Sequence, residues 1–360
     1  MIFRNSLVRE FVHSALATFF VLLGITMSVQ LVRLLGQAAS GAITTSAVAA
    51  LLGFALLNYA AVLLSLTVFI AVLMTLTRSY RDSEMVVWFA CGLGLTQWIR
   101  PVLAFALPLV AVVALLSLVL SPWAVAKSEE LRQLIDSRPD VSAVSPGVFR
   151  ESRRAERVYF VEEVAGTQDL VANIFVSSTQ HGRHGVMVAA RGFQEAGQDG
   201  ERYLVLLNGR RYEEEPGGAG YRIYEFERYA MRIEATAARV ERAPTTKSAS
   251  TIELLRAWTP AHRAEFAWRV GLPVSALVLA LLAIPLSFVN PRAGRSMNLL
   301  VALLIYMTYS NLLSIAQAAI AQSRLGLGAG LVGVHAAMLA VLAALFYRRL
   351  SVFSIFRLLR

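Results

Sequence analysis

Six apolar runs, each long enough to cross about 30 Å of hydrocarbon, leave this chain little choice of fold. They cover roughly residues 11–35, 49–77, 101–123, 266–289, 297–320 and 327–347. No water reaches the middle of a bilayer, so a lipid-exposed segment must pair its own backbone groups, and runs of this length do so as helices. Between the third and fourth runs lies a polar block of some 140 residues. The expected fold class is therefore a polytopic α-helical membrane protein, six transmembrane helices arranged three plus three, with an inserted water-soluble domain. The expected boundaries are 1–123 for the first three helices, 124–265 for the inserted domain with its flanking helices and linker, and 266–360 for the last three helices and the tail.

Charge sorts along the same boundaries. Residues 124–266 hold 20 of the 34 Lys and Arg and 21 of the 24 Asp and Glu; the remainder holds 14 bases and three acids, Glu10, Asp82 and Glu84. The net charge of +10 thus belongs to the membrane sector. Bases beside apolar helices act there as topology signals and interface anchors, which argues against a nucleic-acid surface. Eleven of them fall at the N-terminus (Arg4, Arg9), in the 78–100 loop (Arg78, Arg81, Arg100), in the 290–296 turn (Arg292, Arg295) and in the tail (Arg348, Arg349, Arg357, Arg360). The short loops of the opposite side carry only Arg33 and Arg324. This bias puts both termini in the cytoplasm and exports the polar block. Cys91 is the only cysteine, so no internal disulfide supports the exported domain. The first apolar run, about 25 residues long, exceeds the core of a cleaved signal peptide. It is expected to remain as a helix, although Gly36-Gln-Ala-Ala imitates a cleavage site.

The exported block opens with a helix expected over 125–136, followed by a Pro/Ser/Gly stretch at 138–147. Strand-like runs come next at 157–163, 170–178, 186–190, 203–207, 221–227 and 229–234, with Gly166, Gly182, Gly185, Asp199-Gly200, Asn208-Gly209 and Pro216-Gly-Gly as turns. Short strands at this spacing predict an all-β sandwich or jelly-roll-like domain. Several runs are apolar on both faces, so register is not legible, and buried core is the ordinary reading of such runs. The alternative is an inner face that accepts lipid chains, for which Ile174, Val176, Val188, Val205 and Leu207 are the candidates. A linker at 242–250 and an amphipathic helix at 252–265 lead back to the membrane. The fifth run carries Tyr306, Thr308, Tyr309, Ser310, Asn311, Ser314 and Gln317, so one side of it faces protein or a cavity.

Two places outside the block invite a functional reading. Between Arg78 and Arg100, Asp82 or Ser83 is expected to cap a short helix, with Glu84 in its first turn and Gly92 and Gly94 ending it. Such a helix, presenting Met85, Val87, Trp88 and Cys91, either lies on lipid or docks a partner on the same side of the membrane. Arg33, at the exported end of the first helix, reads either as a snorkelling anchor or as a contact to phosphate, whose oxygens a guanidinium matches with two hydrogen bonds.

Much chemistry is absent. No span shows an acid at mid-membrane depth, as a cation-coupled mechanism would require. There is no His-Glu-x-x-His pattern, and His181 and His184 lie in a Gly-rich turn without a third ligand. Neither lysine, Lys127 or Lys247, follows a glycine, so the chain has no phosphate-binding loop. A transporter built on this chain would rely on another subunit for ATP hydrolysis. The competing classes are an anchored exported scaffold or receptor whose β domain binds a partner, and a membrane enzyme, which the missing motifs disfavour.

Leu7-Val-Arg-Glu10, Leu31-Val-Arg-Leu-Leu-Gly36, Leu73-Met-Thr-Leu76, Ser83-Glu84 with Ala90-Cys-Gly92, Trp268-Arg269 and Pro285-Leu-Ser-Phe-Val-Asn-Pro-Arg-Ala-Gly-Arg295 together resemble the LptF/LptG family of lipopolysaccharide export permeases. Ala-Cys-Gly and Leu-Val-Arg-Leu-Leu-Gly are closer to its F branch. The likeness spans the chain and is weakest from 136 to 250. It implies a multi-pass protein of a bacterial inner membrane with a periplasmic β-jelly-roll. It also implies pairing with a homologous six-span subunit (LptG), a cytoplasmic ATPase dimer (LptB) that holds ATP and Mg, and a third membrane protein (LptC) with a jelly-roll of its own. The complex would extract lipopolysaccharide and pass it along a jelly-roll bridge towards the outer membrane, with no cofactor on this chain. By the same resemblance, Asp82, Ser83, Glu84, Met85, Val87, Trp88, Cys91 and Gly92 would dock the ATPase, and Arg33 would touch the substrate.

Overall fold

The computed structural model describes residues 2–40, 43–136, 149–151, 157–165, 170–180, 183–196, 202–214, 220–233, 245–288 and 297–358. The chain divides into two compact units, one of residues 1–36, 45–130 and 243–360, the other of 37–44 and 131–242.

In the first unit six helices are long and apolar enough to cross a membrane. Five are α1 (Ile2–Ala39), α2 (Thr45–Arg81), α7 (Pro260–Leu286), α8 (Met297–Ala321) and α9 (Leu327–Leu358), with the short helices α3 (Glu84–Ala90) and α6 (Thr251–Ala257) between them. The third span is a continuous rod: a 3-10 turn at Leu95–Trp98, α4 (Ile99–Leu115), a π-helical turn at Leu116–Leu120 and α5 (Ser121–Asp136). The helix expected to open the polar block is thus the end of this span. The rod continues through Pro122, whose missing N–H follows directly on the π-helical turn at Leu116–Leu120, the kind of local adjustment that accommodates proline within a span.

α7 is the hub, contacting α2, α4, α8 and α9. Its buried positions include Ala264, Gly271, Ser275, Ala276, Ala280 and Ala283. Small side chains let neighbouring backbones approach, which is how helices gain packing energy where lipid is as apolar as their partners. α7 begins at Pro260, with Thr259 accepting a hydrogen bond from the His262 N–H at 3.3 Å. The amphipathic helix expected over 252–265 is therefore two elements. α6 starts in a capping box, where Ser250 Oγ accepts from the Glu253 N–H and the Glu253 carboxylate accepts from the Ser250 N–H. That backbone bond holds the Glu253 carboxyl below its usual range. α6 ends at Trp258, whose φ of 40° breaks the helix.

With the break at Trp258, Glu265 falls within α7 rather than in a separate amphipathic helix. Glu265 and Arg269 are both buried one turn apart on α7. Arg269 Nε donates to Glu265 Oε1 at 3.0 Å and Nη1 to Thr251 Oγ1 at 3.1 Å, while Nη2 meets the carbonyls of Lys247 and Ala249, each at 3.0 Å. From the π-helical turn, Ser117 Oγ donates to the Arg269 carbonyl at 2.9 Å. One guanidinium thus fastens the returning chain and α6 to the hub helix.

The second unit holds a six-stranded antiparallel sheet in the order β1–β2–β3–β4–β5–β6: Arg150–Glu151, Arg157–Ala165, Leu170–Gln180, Arg183–Ala196, Arg202–Glu214 and Tyr221–Ile233. The inserted all-β domain is present. Its strands pair in chain order as a meander and are longer than the runs expected from sequence. Tyr221–Ile233 joins two of those runs, and Asn208-Gly209, expected as a turn, lies inside β5. The expected turn residues Gly166, Gly182 and Asp199-Gly200, together with His181 and the 290–296 turn, lie outside the described residues.

Removing one partner of a buried ion pair typically costs about 3–5 kcal/mol, because the other charge stays desolvated. Arg269→Met is expected to lower the midpoint of thermal unfolding sharply in a detergent-solubilised preparation. Arg269→Lys should recover little of it, since a single ammonium cannot serve the carboxylate and the carbonyls at once. Pairing Arg269→Met with Glu265→Leu should recover only the part owed to the stranded carboxylate, because the Lys247 and Ala249 carbonyls stay unpaired.

Candidate functional site

The sheet is creased along one row. Opposite residues pair regularly from β2 to β6, except that Glu162, Asn173, Ala190, Asn208 and Glu227 are skipped in every register. Asn173 (φ 48°) and Asn208 (φ 49°) take the left-handed conformation that Asn tolerates better than most residues. The Asn173 side-chain amide donates to Glu162 Oε2 at 2.6 Å across the row. At the crease the in-out alternation slips by one residue. Ile174 and Ala189 are buried on one side of it, and Val171, Gly192 and Leu206, three positions along their strands, are buried on the other. One apolar cluster, including Val176, Met187 and Leu204, is continuous across it.

The opposite face of the sheet carries a cleft of about 1110 Å³. Its floor is a single cross-strand row, Phe160, Phe175, Val188, Arg210 and Glu225, apolar over β2–β4 and ionic over β5–β6. Phe149 stacks on Phe160 with centroids 4.6 Å apart, and Arg210 Nε donates to Glu225 Oε1 at 2.8 Å. That hydrogen bond raises the Arg210 guanidinium above its ordinary value. Gly209 permits the close approach of the strands, since a Cβ there would lie 2.5 Å from the Val188 carbonyl oxygen.

The five sequence candidates on the sheet do not share a surface. Val188 is 46% exposed and lines the cleft; Ile174, buried in the packed cluster, also borders it, whereas Val176 lies in the cluster alone. Val205 is fully buried as well, on the face opposite its buried neighbours Leu204 and Leu206, and Leu207 is half-buried. Phe160, Phe175, Arg210 and Glu225, with Phe149 against them, were not legible as a group, because the row exists only once the register is set.

α3 is a single exposed helix between two buried attachments. Ser83 precedes it in the left-handed conformation (φ 62°) and its side chain makes no cap, so the expected N-cap is absent. Gly92 (φ 85°) ends it as expected: the Cys91, Gly92 and Leu93 amides return to Val87, Phe89 and Trp88 carbonyls. Met85 turns inward and is 2% exposed in the core of the first unit, and Trp88 packs on Trp98 at 4.8 Å. Val86 and Val87, 66% and 61% exposed, form the outward face with Ala90 and Cys91. Asp82 pairs with Arg81 at 3.5 Å. Glu84 faces Arg78 at 3.7 Å, and Arg78 bonds Glu10 of α1 at 2.7 Å.

Arg33 is exposed beside the exposed Leu31, Val32 and Leu35, with Leu34 turned inward, and among the described residues it has no ion-pair partner. No group of three His, Cys, Asp or Glu side chains is arranged to hold a metal among the described residues.

Residues 6–348 match the family described as lipopolysaccharide export system permease LptF/LptG. Over 315 residues, 86% of this chain and 84% of the relative, it is 31% identical to the lipopolysaccharide export system permease protein LptF of Escherichia coli strain K12. Proteins of the same name from Escherichia coli O157:H7 and Shigella flexneri match at the same level.

Proposed function

The chain belongs to the LptF/LptG family of lipopolysaccharide export system permeases, and from that premise we propose that it is the non-catalytic membrane subunit of an ATP-driven lipopolysaccharide exporter. It works in a bacterial inner membrane with both termini in the cytoplasm and the β domain in the periplasm. It pairs with an LptG-type subunit, takes force from an LptB-type ATPase dimer and hands lipopolysaccharide to LptC and a periplasmic jelly-roll bridge. The observation that carries this reading is the outward face of α3. Val86, Val87, Ala90 and Cys91 leave an apolar surface that no described residue covers, while Met85 and Trp88 hold the helix rigidly from behind. A rigid amphipathic helix on the same side as both termini suits insertion into a groove of a cytoplasmic subunit.

Substitution of Val86 and Val87 by Asp tests the docking directly, since both are exposed and the fold does not depend on them. Burying two unpaired carboxylates in a groove should reduce the ATPase that co-purifies by at least about tenfold, roughly 1.4 kcal/mol. Undiminished retention, with export intact, would remove α3 from the docking site, whereas an unaltered chain that retains no ATPase would return it to the scaffold reading.

The cleft of the β domain suits an amphiphile in transit, with aromatic and aliphatic floor for acyl chains and the Arg210–Glu225 end for polar groups. A photocrosslinking side chain at position 188 is expected to label lipopolysaccharide during ATP turnover, and one at position 176, in the packed cluster, is not. Equal labelling at both positions, or labelling by phospholipid alone, removes the cleft from the path.

Arg33 is assigned to a phosphate of the substrate at the outer leaflet. Lipopolysaccharide release at matched complex levels should fall progressively through Arg33→Lys, Arg33→Gln and Arg33→Glu. An interface anchor would tolerate Lys and Gln and show its losses as reduced protein; full release by the Glu variant rules out direct contact.

A further inference from the structure

Arg78 serves two acids from a single nitrogen. Its Nη2 bonds Glu10 Oε2 of α1 at 2.7 Å and lies 3.7 Å from Glu84 Oε1, the first residue of α3. The first distance is a charge-assisted hydrogen bond; the second is attraction without one. All three side chains are about two-fifths exposed, so neither pairing is locked in by burial.

α1 is built to register a change there. It is a helix of 38 residues, about 57 Å long. It is fixed near its base, where Leu7, Phe11 and Ala15 enter the core and Phe11 packs on Phe105 at 5.3 Å. Near its far end it is held again by the buried Leu34 and by Gln30, whose amide donates to Tyr59 Oη at 3.0 Å. The apolar gap of about 280 Å³ that separates it from α2 and α4 starts within that base, lined on α1 by Val8, Val12, Ala15, Leu16 and Phe19, and from Leu16 to Val29 α1 buries no side chain. A rigid rod packed mainly at its base and tip turns a small shift at the base into tilt along its length.

We propose that Arg78 is a positioning residue that couples the docking helix α3 to the base of α1. When a basic rim on the docked ATPase draws Glu84 away, Arg78 is left wholly to Glu10 and α1 is held down. When α3 is released, Glu84 competes for the same nitrogen and the base of α1 loosens. A half-exposed ion pair of this kind shifts an equilibrium by a factor of about two to five, enough to bias a helix that little else restrains. The inference rests on the docking reading of α3, and its test keeps the two apart.

The full complex, reconstituted in lipid nanodiscs, carries a genetically encoded fluorescent amino acid in place of Val21, on the exposed middle of α1. Adding ATP and vanadate is expected to change the emission with wild-type Glu10 and to change it much less with Glu10→Gln. Lipopolysaccharide released per ATP should fall about two- to fivefold, while the amount of co-purified ATPase stays the same. The double variant Glu10→Gln/Arg78→Gln should be no worse than Arg78→Gln alone, because both remove one linkage. The proposal is overturned if Glu10→Gln keeps the nucleotide response and the yield per ATP, if the two losses multiply, or if the variant sheds the ATPase. Failure of the docking reading would show separately, as ATPase retained by the Val86 and Val87 variants.

Discussion

Arg269 stands in the helix around which the other spans pack, and a bare guanidinium there would cost several kcal/mol in lost hydration. The cost is offset because its donors find a carboxylate, a hydroxyl and the carbonyls of the chain re-entering the membrane. Those carbonyls belong to a turn that would otherwise leave polar groups orphaned beside apolar helices. The arrangement is reciprocal: the turn solvates the arginine, and the arginine holds the turn and α6 against α7. The π-helical turn of the third span joins the same network through Ser117. An irregularity of this type recurs where a side chain or backbone group must be re-aimed.

The two candidate regions both rest on left-handed departures of the backbone. In the β domain, left-handed Asn173 and Asn208 interrupt the ladder in register and slip the alternation, so that an apolar cluster and an amphiphilic cleft occupy opposite faces of one sheet. At α3, left-handed Ser83 turns the chain sharply out of α2, and Gly92 closes the short helix. Both departures produce a surface held rigid from behind, Val188 by the sheet and Val86 and Val87 by the burial of Met85.

Legibility differed accordingly. Lipid-crossing length is a one-dimensional property, so the six spans, their three-plus-three division and the inserted β domain could be read directly. Gly92 could be read as a helix stop because its role depends on its own φ. Ser83 could not be read as left-handed, since in sequence it is indistinguishable from an ordinary N-cap. Met85 and Val87 looked alike as apolar residues of one short helix, and only packing against Leu7, Leu95 and their neighbours separates an inward from an outward position. Arg269 carried a faint signal, being a base inside an apolar run with an acid four residues before it.

By itself the sequence determined that the chain crosses a membrane, where it does so and which block stays in water, because hydrophobic transfer depends on composition summed over about twenty neighbouring residues. The family, too, is legible in local strings of residues. Tertiary structure alone decided that Glu265 belongs to a span, that Arg78 lies between Glu10 and Glu84, and that Phe160, Val188 and Glu225 share one row. Each of these joins residues distant in the chain, or turns on a single left-handed residue that inverts which face a strand presents. Periodicity carries no record of such a slip, because the apolar pattern on either side of it remains regular.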